Sequence, residues 1–275
     1  METLSTSDGL KLHLQRWQAQ GVARGTVQIV HGLGEHIGRY EALATTLNAA
    51  GWHVTGHDQR GHGRSEGARG RIDGPDVLLA DLAAVTDHLR GKGRHVLLGH
   101  SMGGVMAARF VAEALSPRAA RWARDVDGLV LSSPALDTGL GTARRALVRL
   151  LSRLAPNLPL GNGLKPDWIS RDAEVVRRYV ADPLVHRRIT PRLARFIVRA
   201  GGHVLDRASR WRVPTLLLWA GADRCVAPAG SAALAAAAPP AVLASQCFPG
   251  LFHEIFNEPE HEQVTTALTQ WLGRF

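Results

Sequence analysis

Between residues 10 and 17 apolar and polar side chains alternate, which predicts an exposed strand early in the chain. A short buried strand is predicted over 26–30, ending at His31-Gly32. Residues 39–50 change to helical spacing and close on Gly51, a residue suited to a helix C-cap. The two periods then alternate. Strands are predicted over 52–56, 95–98 and 126–131, and helices over 76–89 and 102–115. Strand and helix in regular succession predict an α/β fold, a mostly parallel central sheet covered by helices on both faces.

The rhythm breaks near Asp137. Through residue 207 no strand is evident, and arginine-rich helical stretches are interrupted by Pro156, Pro159, Pro166, Pro183 and Pro191. It resumes with strands over 213–219 and 242–248 and helices over 229–238 and 259–272. The expected organisation is a core domain made of 1–136 and 208–275, with a helical cap, 137–207, inserted between them. A chain of 275 residues is long enough for one such domain with a large buried core.

Composition narrows the setting. No run of 18 apolar residues occurs, so no transmembrane helix is expected. Residues 1–20 lack a basic stretch followed by an apolar block, so no secretory leader is expected either. Two cysteines, Cys225 and Cys247, argue against a disulfide framework and for a reducing, cytoplasmic compartment. The net charge of +9 is unevenly placed: residues 137–212 hold 16 Lys/Arg against 6 Asp/Glu, and the rest is near neutral. Such a segment suits nucleic acid, an anionic membrane or an anionic substrate. No nucleic-acid-binding motif accompanies it, so nucleic acid is not an expected partner. Arginine outnumbers lysine 30 to 3, as a GC-rich genome produces, so codon bias is a second account of the same charge.

The sharpest chemical signal is Gly99-His100-Ser101-Met102-Gly103, directly after a predicted strand and directly before a predicted helix. A serine on that turn is forced into strained backbone geometry with its hydroxyl above the sheet, and flanking glycines let strand and helix approach. A serine hydroxyl is a weak nucleophile and needs a base oriented by an acid. In this type of site the chain order is Ser, then Asp or Glu, then His. Asp223 follows the apolar run 215–219, and His253 follows the next predicted strand, so Ser101, Asp223 and His253 form the expected triad. Asp182 and Asp206 are rival acids, but neither follows a strand of the sheet. His100 is expected to pack or hydrogen-bond within the turn. His57, Asp58 and His62 share a turn-rich loop, but no metal-ligand spacing supports a metal site there. The oxyanion of an acyl-transfer intermediate needs two backbone N–H donors, expected from Met102 and Leu33. The loop 31–36 is not a nucleotide motif, because Ile37 stands where G-x-G-x-x-G needs its third glycine. No metal or organic cofactor is expected.

These residues resemble the monoacylglycerol lipase and lysophospholipase family of α/β-hydrolases. The resemblance rests on His31-Gly32-Leu33-Gly34-Glu35-His36 with Arg39-Tyr40, on Gly56-His57-Asp58 running into Arg60-Gly61-His62-Gly63-Arg64-Ser65-Glu66-Gly67, and on Gly99 to Gly104. It continues through Leu131-Ser132-Ser133-Pro134-Ala135, Asp182-Pro183-Leu184, Gly221-Ala222-Asp223-Arg224 and His253-Glu254, so it covers nearly the whole chain. It implies the α/β-hydrolase fold and a lid over the site that admits one acyl chain and, in several members, rests on membranes. A mono-acylated glycerolipid ester is therefore the expected substrate, hydrolysed through an acyl-enzyme on Ser101. A lysophospholipase, or a broad esterase or peptidase of the same fold, is the alternative, and a ligand-binding protein without catalysis the most distant one. Residues 146–154 can present an apolar face with arginines beside it, as interfacial helices do, or use those leucines to cover the core. The first option gives transient membrane contact and a location peripheral to the membrane. Cys225 resembles a cysteine of some members displaced by one position, and is expected to be a bystander.

Overall fold

The computed structural model describes residues 2–91, 93–116 and 118–275. Its strands in chain order are β1 Glu2–Ser5, β2 Lys11–Trp17, β3 Gly25–Val30, β4 Trp52–His57, β5 Arg94–His100 and β6 Gly128–Ser132. They continue as β7 Leu160–Gly161, β8 Arg188–Ile189, β9 Thr215–Ala220 and β10 Leu243–Phe248. The α-helices are α1 Glu41–Ala49, α2 Val77–Leu89, α3 Ser101–Ala112 and α4 Thr142–Leu154, then α5 Ala173–Ala181, α6 Pro191–Leu205, α7 Pro228–Ala237 and α8 His261–Leu272.

Eight strands form one sheet in the order β1-β2-β4-β3-β5-β6-β9-β10. From β4 to β10 every neighbour is parallel, whereas β1 and β2 join antiparallel at one edge. The chain runs from β3 outward to β4 and then returns to the other side of β3 as β5. Connections leaving β3 and β5 therefore diverge, which opens a crevice at their carboxyl ends. Such a parallel sheet has to be buried on both faces, and successive strand residues serve the two faces in turn. Leu97, Leu129, Leu131 and Leu217 pack on one face with Val105 and Met106 of α3 and with α6. Val96, Leu98, Val130, Leu216 and Leu218 pack on the other with Leu43 and Leu47 of α1 and Val264 and Leu268 of α8.

Most predicted elements lie within two or three residues of their observed bounds, and the differences have physical reasons. β1 was not anticipated, since a four-residue, largely exposed edge strand carries no apolar alternation. β5 runs on through Gly99 to His100, and α3 begins at Ser101 itself, so strand and helix abut without a spacer. Residues 137–207 were read as lacking strands, yet β7 and β8 pair antiparallel there. Two residues apiece are too short to show a period. Two prolines in this segment open elements instead of breaking them. Pro191 is the first residue of α6, where no N–H is needed and Thr190 caps the end by accepting from Leu193 N–H.

The segment 137–207 is not uniform. In α6 the side chains of Leu193, Phe196, Ile197, Ala200 and Val204 are buried and belong to the sheet's own core. α4 has no buried residue. Its leucines do not cover the core: Leu147, Leu150 and Leu154 are 53%, 52% and 73% exposed.

Candidate active site

Ser101 sits at the β5–α3 junction with φ +53°, a left-handed conformation that costs energy in any residue with a side chain. The packing that holds it there requires glycine at Gly103. A Cβ at that position would collide with the backbone oxygens of Val30 and His31, so α3 is drawn hard against the end of β3. The backbone N–H groups of the first turn of α3 are thereby aimed into the crevice, and they favour negative charge there.

The structure brings Ser101, Asp223 and His253 together. His253 Nδ1 lies 2.7 Å from Asp223 Oδ2, and its Nε2 lies 2.8 Å from Ser101 Oγ. A carboxylate only accepts, so Nδ1 carries the proton and Nε2 is left as the acceptor of the serine hydroxyl. Asp223 leaves the end of β9 and His253 the loop after β10, two adjacent parallel strands. The other Asp223 oxygen, Oδ1, accepts from Cys225 N–H at 2.7 Å and Val226 N–H at 3.0 Å, which fixes the plane of the carboxylate. Burial works against ionised Asp223, but His253 and those two N–H donors outweigh it and hold its pKa low. Burial also disfavours a charged His253, yet the Asp223 carboxylate, with help from Glu254 and Glu35, lifts its pKa above the usual histidine value. A base works only when neutral, so the rate should fall as pH drops through that raised value. The expected pH profile of kcat on a soluble ester has its acid limb above about 6.5, the ordinary histidine value. A limb well below that would remove His253 as the titrating base.

Leu33 and Met102 line the same cavity as Ser101. Among the described residues neither backbone N–H bonds to a loop or side-chain acceptor. Gly32 is tight against the nucleophile: a Cβ there would stand 3.2 Å from Ser101 Cβ. His100 turns away from the serine hydroxyl. Its Nδ1 lies 3.1 Å from both Ser132 O and Ser132 Oγ, and its ring packs 4.7 Å from that of His253. Burial, reinforced by neighbouring His253, pushes its pKa down to about 4, so it is neutral beside the base.

The rival groups lie outside the Ser101–His253–Asp223 hydrogen-bond chain. Asp58 accepts from the N–H groups of Ile37 and Arg64, each at 2.8 Å, and His62 Nδ1 lies 3.0 Å from Arg60 O. Asp182 pairs with His36 at 2.8 Å, and Asp206 stands at the C-terminal end of α6, where its backbone N–H donates to Gly202 O at 2.9 Å. Among the described residues, three groups of metal-ligating type come within 4.8 Å of one another at Asp223, Cys225 and His253, the expected acid and base with a thiol. Burial pushes that thiol's pKa up, away from the thiolate form.

The cavity over Ser101 has a volume of about 570 Å³ and is lined mainly by apolar side chains, among them Val148 and Leu151 of α4 and Ile197 of α6. That size lies within the usual range for ligand sites. Sequence reasoning missed the buried cluster behind the triad, in which Arg39 joins Glu35 and Glu254. No local signal in the sequence points to it, since Arg39 and Glu254 lie 215 positions apart.

The family model described as "Serine aminopeptidase, S33" matches residues 21–260. The chain is 34% identical to a monoacylglycerol lipase of Mycolicibacterium smegmatis over 272 residues, 96% of this chain and 93% of that one. It is 32% identical to a phospholipase of Bacillus subtilis over 255 residues, 90% of this chain and 95% of the relative. Among solved structures, the monoacylglycerol lipase of Paleococcus ferrophilus superposes with a TM-score of 0.85 at 34% identity, covering 95% of this chain and 98% of that one. With its sheet order and its serine at the strand–helix turn, the chain belongs to this serine aminopeptidase S33 family of α/β-hydrolases and is a serine hydrolase.

Proposed function

We propose that this enzyme hydrolyses the ester bond of a singly acylated glycerol. Ser101 Oγ attacks the carbonyl carbon while His253 Nε2 takes the hydroxyl proton, and Asp223 holds the imidazole and stabilises its charged form. The N–H groups of Leu33 and Met102 receive the oxyanion. Collapse of the intermediate breaks the ester C–O bond, and His253 returns its proton to the departing glycerol oxygen. Water, deprotonated by the same histidine, then attacks the acyl carbon, and the bond to Ser101 breaks as His253 returns that proton to Oγ and the fatty acid leaves. The observation that carries the substrate class is the mainly apolar cavity of about 570 Å³ that reaches Ser101, suited to one acyl chain. Relatives named for monoacylglycerol hydrolysis support it.

A second reading has its own observation. Arg144 and Arg224 line the same cavity, and among the described residues neither is in an ion pair, which suits a phosphate head group. A matched panel with one acyl chain on glycerol, on glycerophosphocholine, on p-nitrophenol and on an amino-acid amide separates these readings. The monoacylglycerol should show the highest kcat/KM. A higher value for the lysophospholipid would install the second reading, and a higher value for the amide would make the enzyme a peptidase.

The core domain of this reading is 1–136 with 208–275. The cap is 137–207, seated through α6 and roofing the cavity through α4. Exposed Leu147, Leu150 and Leu154, joined by half-exposed Leu158 and Leu160, are the surface by which it meets lipid. No helix among the described residues is long and apolar enough to cross a membrane. Contact at the surface is therefore the form that membrane association takes in this reading. Cys225 and Cys247 are free thiols, which suits a cytoplasmic location.

A further inference from the structure

We infer that Arg39 is a positioning residue that locks the loop carrying the Leu33 oxyanion donor to the loop carrying His253, with Glu35 and Glu254 as its two anchors. The inference rests on the triad and oxyanion assignment proposed above.

Arg39 donates through Nη1 to Glu35 Oε2 at 2.7 Å. It also grips Glu254 with both arms of its fork, Nη1 to Oε1 at 2.6 Å and Nη2 to Oε2 at 2.8 Å. Each anchor reaches reacting machinery within one residue. Glu35 Oε1 accepts from Gly32 N–H at 2.5 Å and from Tyr40 O–H at 2.7 Å, and Gly32 is bonded to Leu33. Glu254 is bonded to His253, and its own N–H donates to Ile169 O at 2.8 Å. Tyr179 of α5 covers the outer face of the guanidinium, 4.8 Å from ring centre to Cζ. The three charged side chains are only 11%, 6% and 7% exposed, so solvent screens them little. The cavity among them measures about 20 Å³, room for one water molecule.

Two parallel N–H···O bonds fix direction as well as distance, which a lysine ammonium does not reproduce. The oxyanion donor and the base come from loops far apart in sequence, and the clamp sets one against the other. A displacement of about 1 Å between such groups costs on the order of 10²-fold in rate. The clamp also carries charge. Two carboxylates against one guanidinium leave a net negative charge beside the imidazole, in addition to Asp223. The groups facing His253 are Asp223 and Cys225 from the loop after β9 and Ser101 and His100 from the β5–α3 turn. Glu35 faces it from the loop after β3 and Glu254 from its own loop, with Arg39 between those two carboxylates and Tyr179 beyond it.

Three variants assayed on a short soluble ester, with thermal melting in parallel, test the clamp. Glu254→Gln removes a negative charge near the base, so the acid limb of kcat should move to lower pH, and plateau kcat should fall about 10-fold as the fork loosens. Arg39→Lys keeps the charge and loses the fork, so the limb should stay in place while kcat falls about 10-fold or more at unchanged KM. The double variant should be little worse than the poorer single one, because the two residues act as one unit. An acid limb unmoved in Glu254→Gln overturns the inference, as does wild-type kcat in Arg39→Lys. Should Arg39→Lys fail to fold, the plateau kcat of Glu254→Gln decides, and a wild-type plateau overturns the inference. Failure of the underlying triad shows differently, as activity retained in Ser101→Ala.

Discussion

Replacing Ser101 with alanine should lower kcat on any ester substrate by about 10³-fold or more, and His253→Ala and Asp223→Asn should each do the same. The three losses have one origin. Without Ser101 Oγ no acyl-enzyme forms. Without His253 the hydroxyl, held 2.8 Å from Nε2, has no acceptor for its proton. Asp223→Asn is the most telling change because it keeps the shape of the side chain. An amide at that position can turn its NH₂ toward His253 Nδ1, which would leave Nδ1 as acceptor and place the imidazole proton on Nε2, facing Ser101. The two backbone donors on Oδ1, Cys225 N–H and Val226 N–H, demand an oxygen there and so drive the NH₂ into that wrong position. Because the groups act in one proton path, Ser101→Ala/His253→Ala should be little worse than either single variant. Steady-state rates with wild-type melting temperature check this. Near-wild-type turnover in any of the three would show that the triad is assigned wrongly.

The sheet was legible in the sequence because a parallel strand buried on both faces reads as an uninterrupted apolar run. β6 and β9 hold such runs at 129–131 and 216–220, β5 holds a shorter one at 96–98, and β3 is interrupted by Gln28 yet rich in β-branched residues. The proposed triad could be picked out for a related reason. Ser101, Asp223 and His253 each stand just past a strand, so strand ends and chemical types together select them from 13 histidines and 24 acidic residues. What could not be read is set by distances through space. Arg39 and Glu254 are 215 positions apart, and nothing in local spacing says that a charged side chain so close to a turn is buried and paired. Only the return of the last loop over the one after β3 brings them together. The arginine-rich segment was opaque in another way. Its helical period was clear, but α6 turns its apolar face into the core while α4 leaves leucines in solvent. Amphipathicity gives a face and not the partner of that face.

Replacing Leu147, Leu150 and Leu154 together with serine should reduce activity on monoacylglycerol in vesicles by on the order of 10²-fold and leave a soluble short ester unaffected. The three side chains are half or more exposed, so a lipid surface has that area still to cover. Full burial of a leucine is worth about 1.5–3 kcal/mol, so covering the remaining half or more is worth roughly 1 kcal/mol each, or about 3 kcal/mol for three. Val148 and Leu151 line the cavity on the same helix and are left untouched, so the reaction at Ser101 should not feel the change. Arginine makes a separable contribution. Arg149 and Arg153 are exposed and stand in no ion pair among the described residues. Arg145 by contrast is tied to Asp137, and Arg144 lines the cavity. Each cation close to an anionic surface adds about 1 kcal/mol. That attraction shrinks as the Debye length falls from about 30 Å at 0.01 M salt to about 8 Å at physiological strength. Arg149→Gln/Arg153→Gln should therefore weaken activity on anionic vesicles about 10-fold or more at low salt, and flatten its salt dependence. On uncharged vesicles it should do little, whereas the triple leucine change should act on both. If salt affects vesicle and soluble substrates equally and the leucine variant keeps wild-type vesicle activity, then α4 serves only as the roof of the cavity. The arginines of the segment would in that case be solvated surface of the kind that codon bias produces.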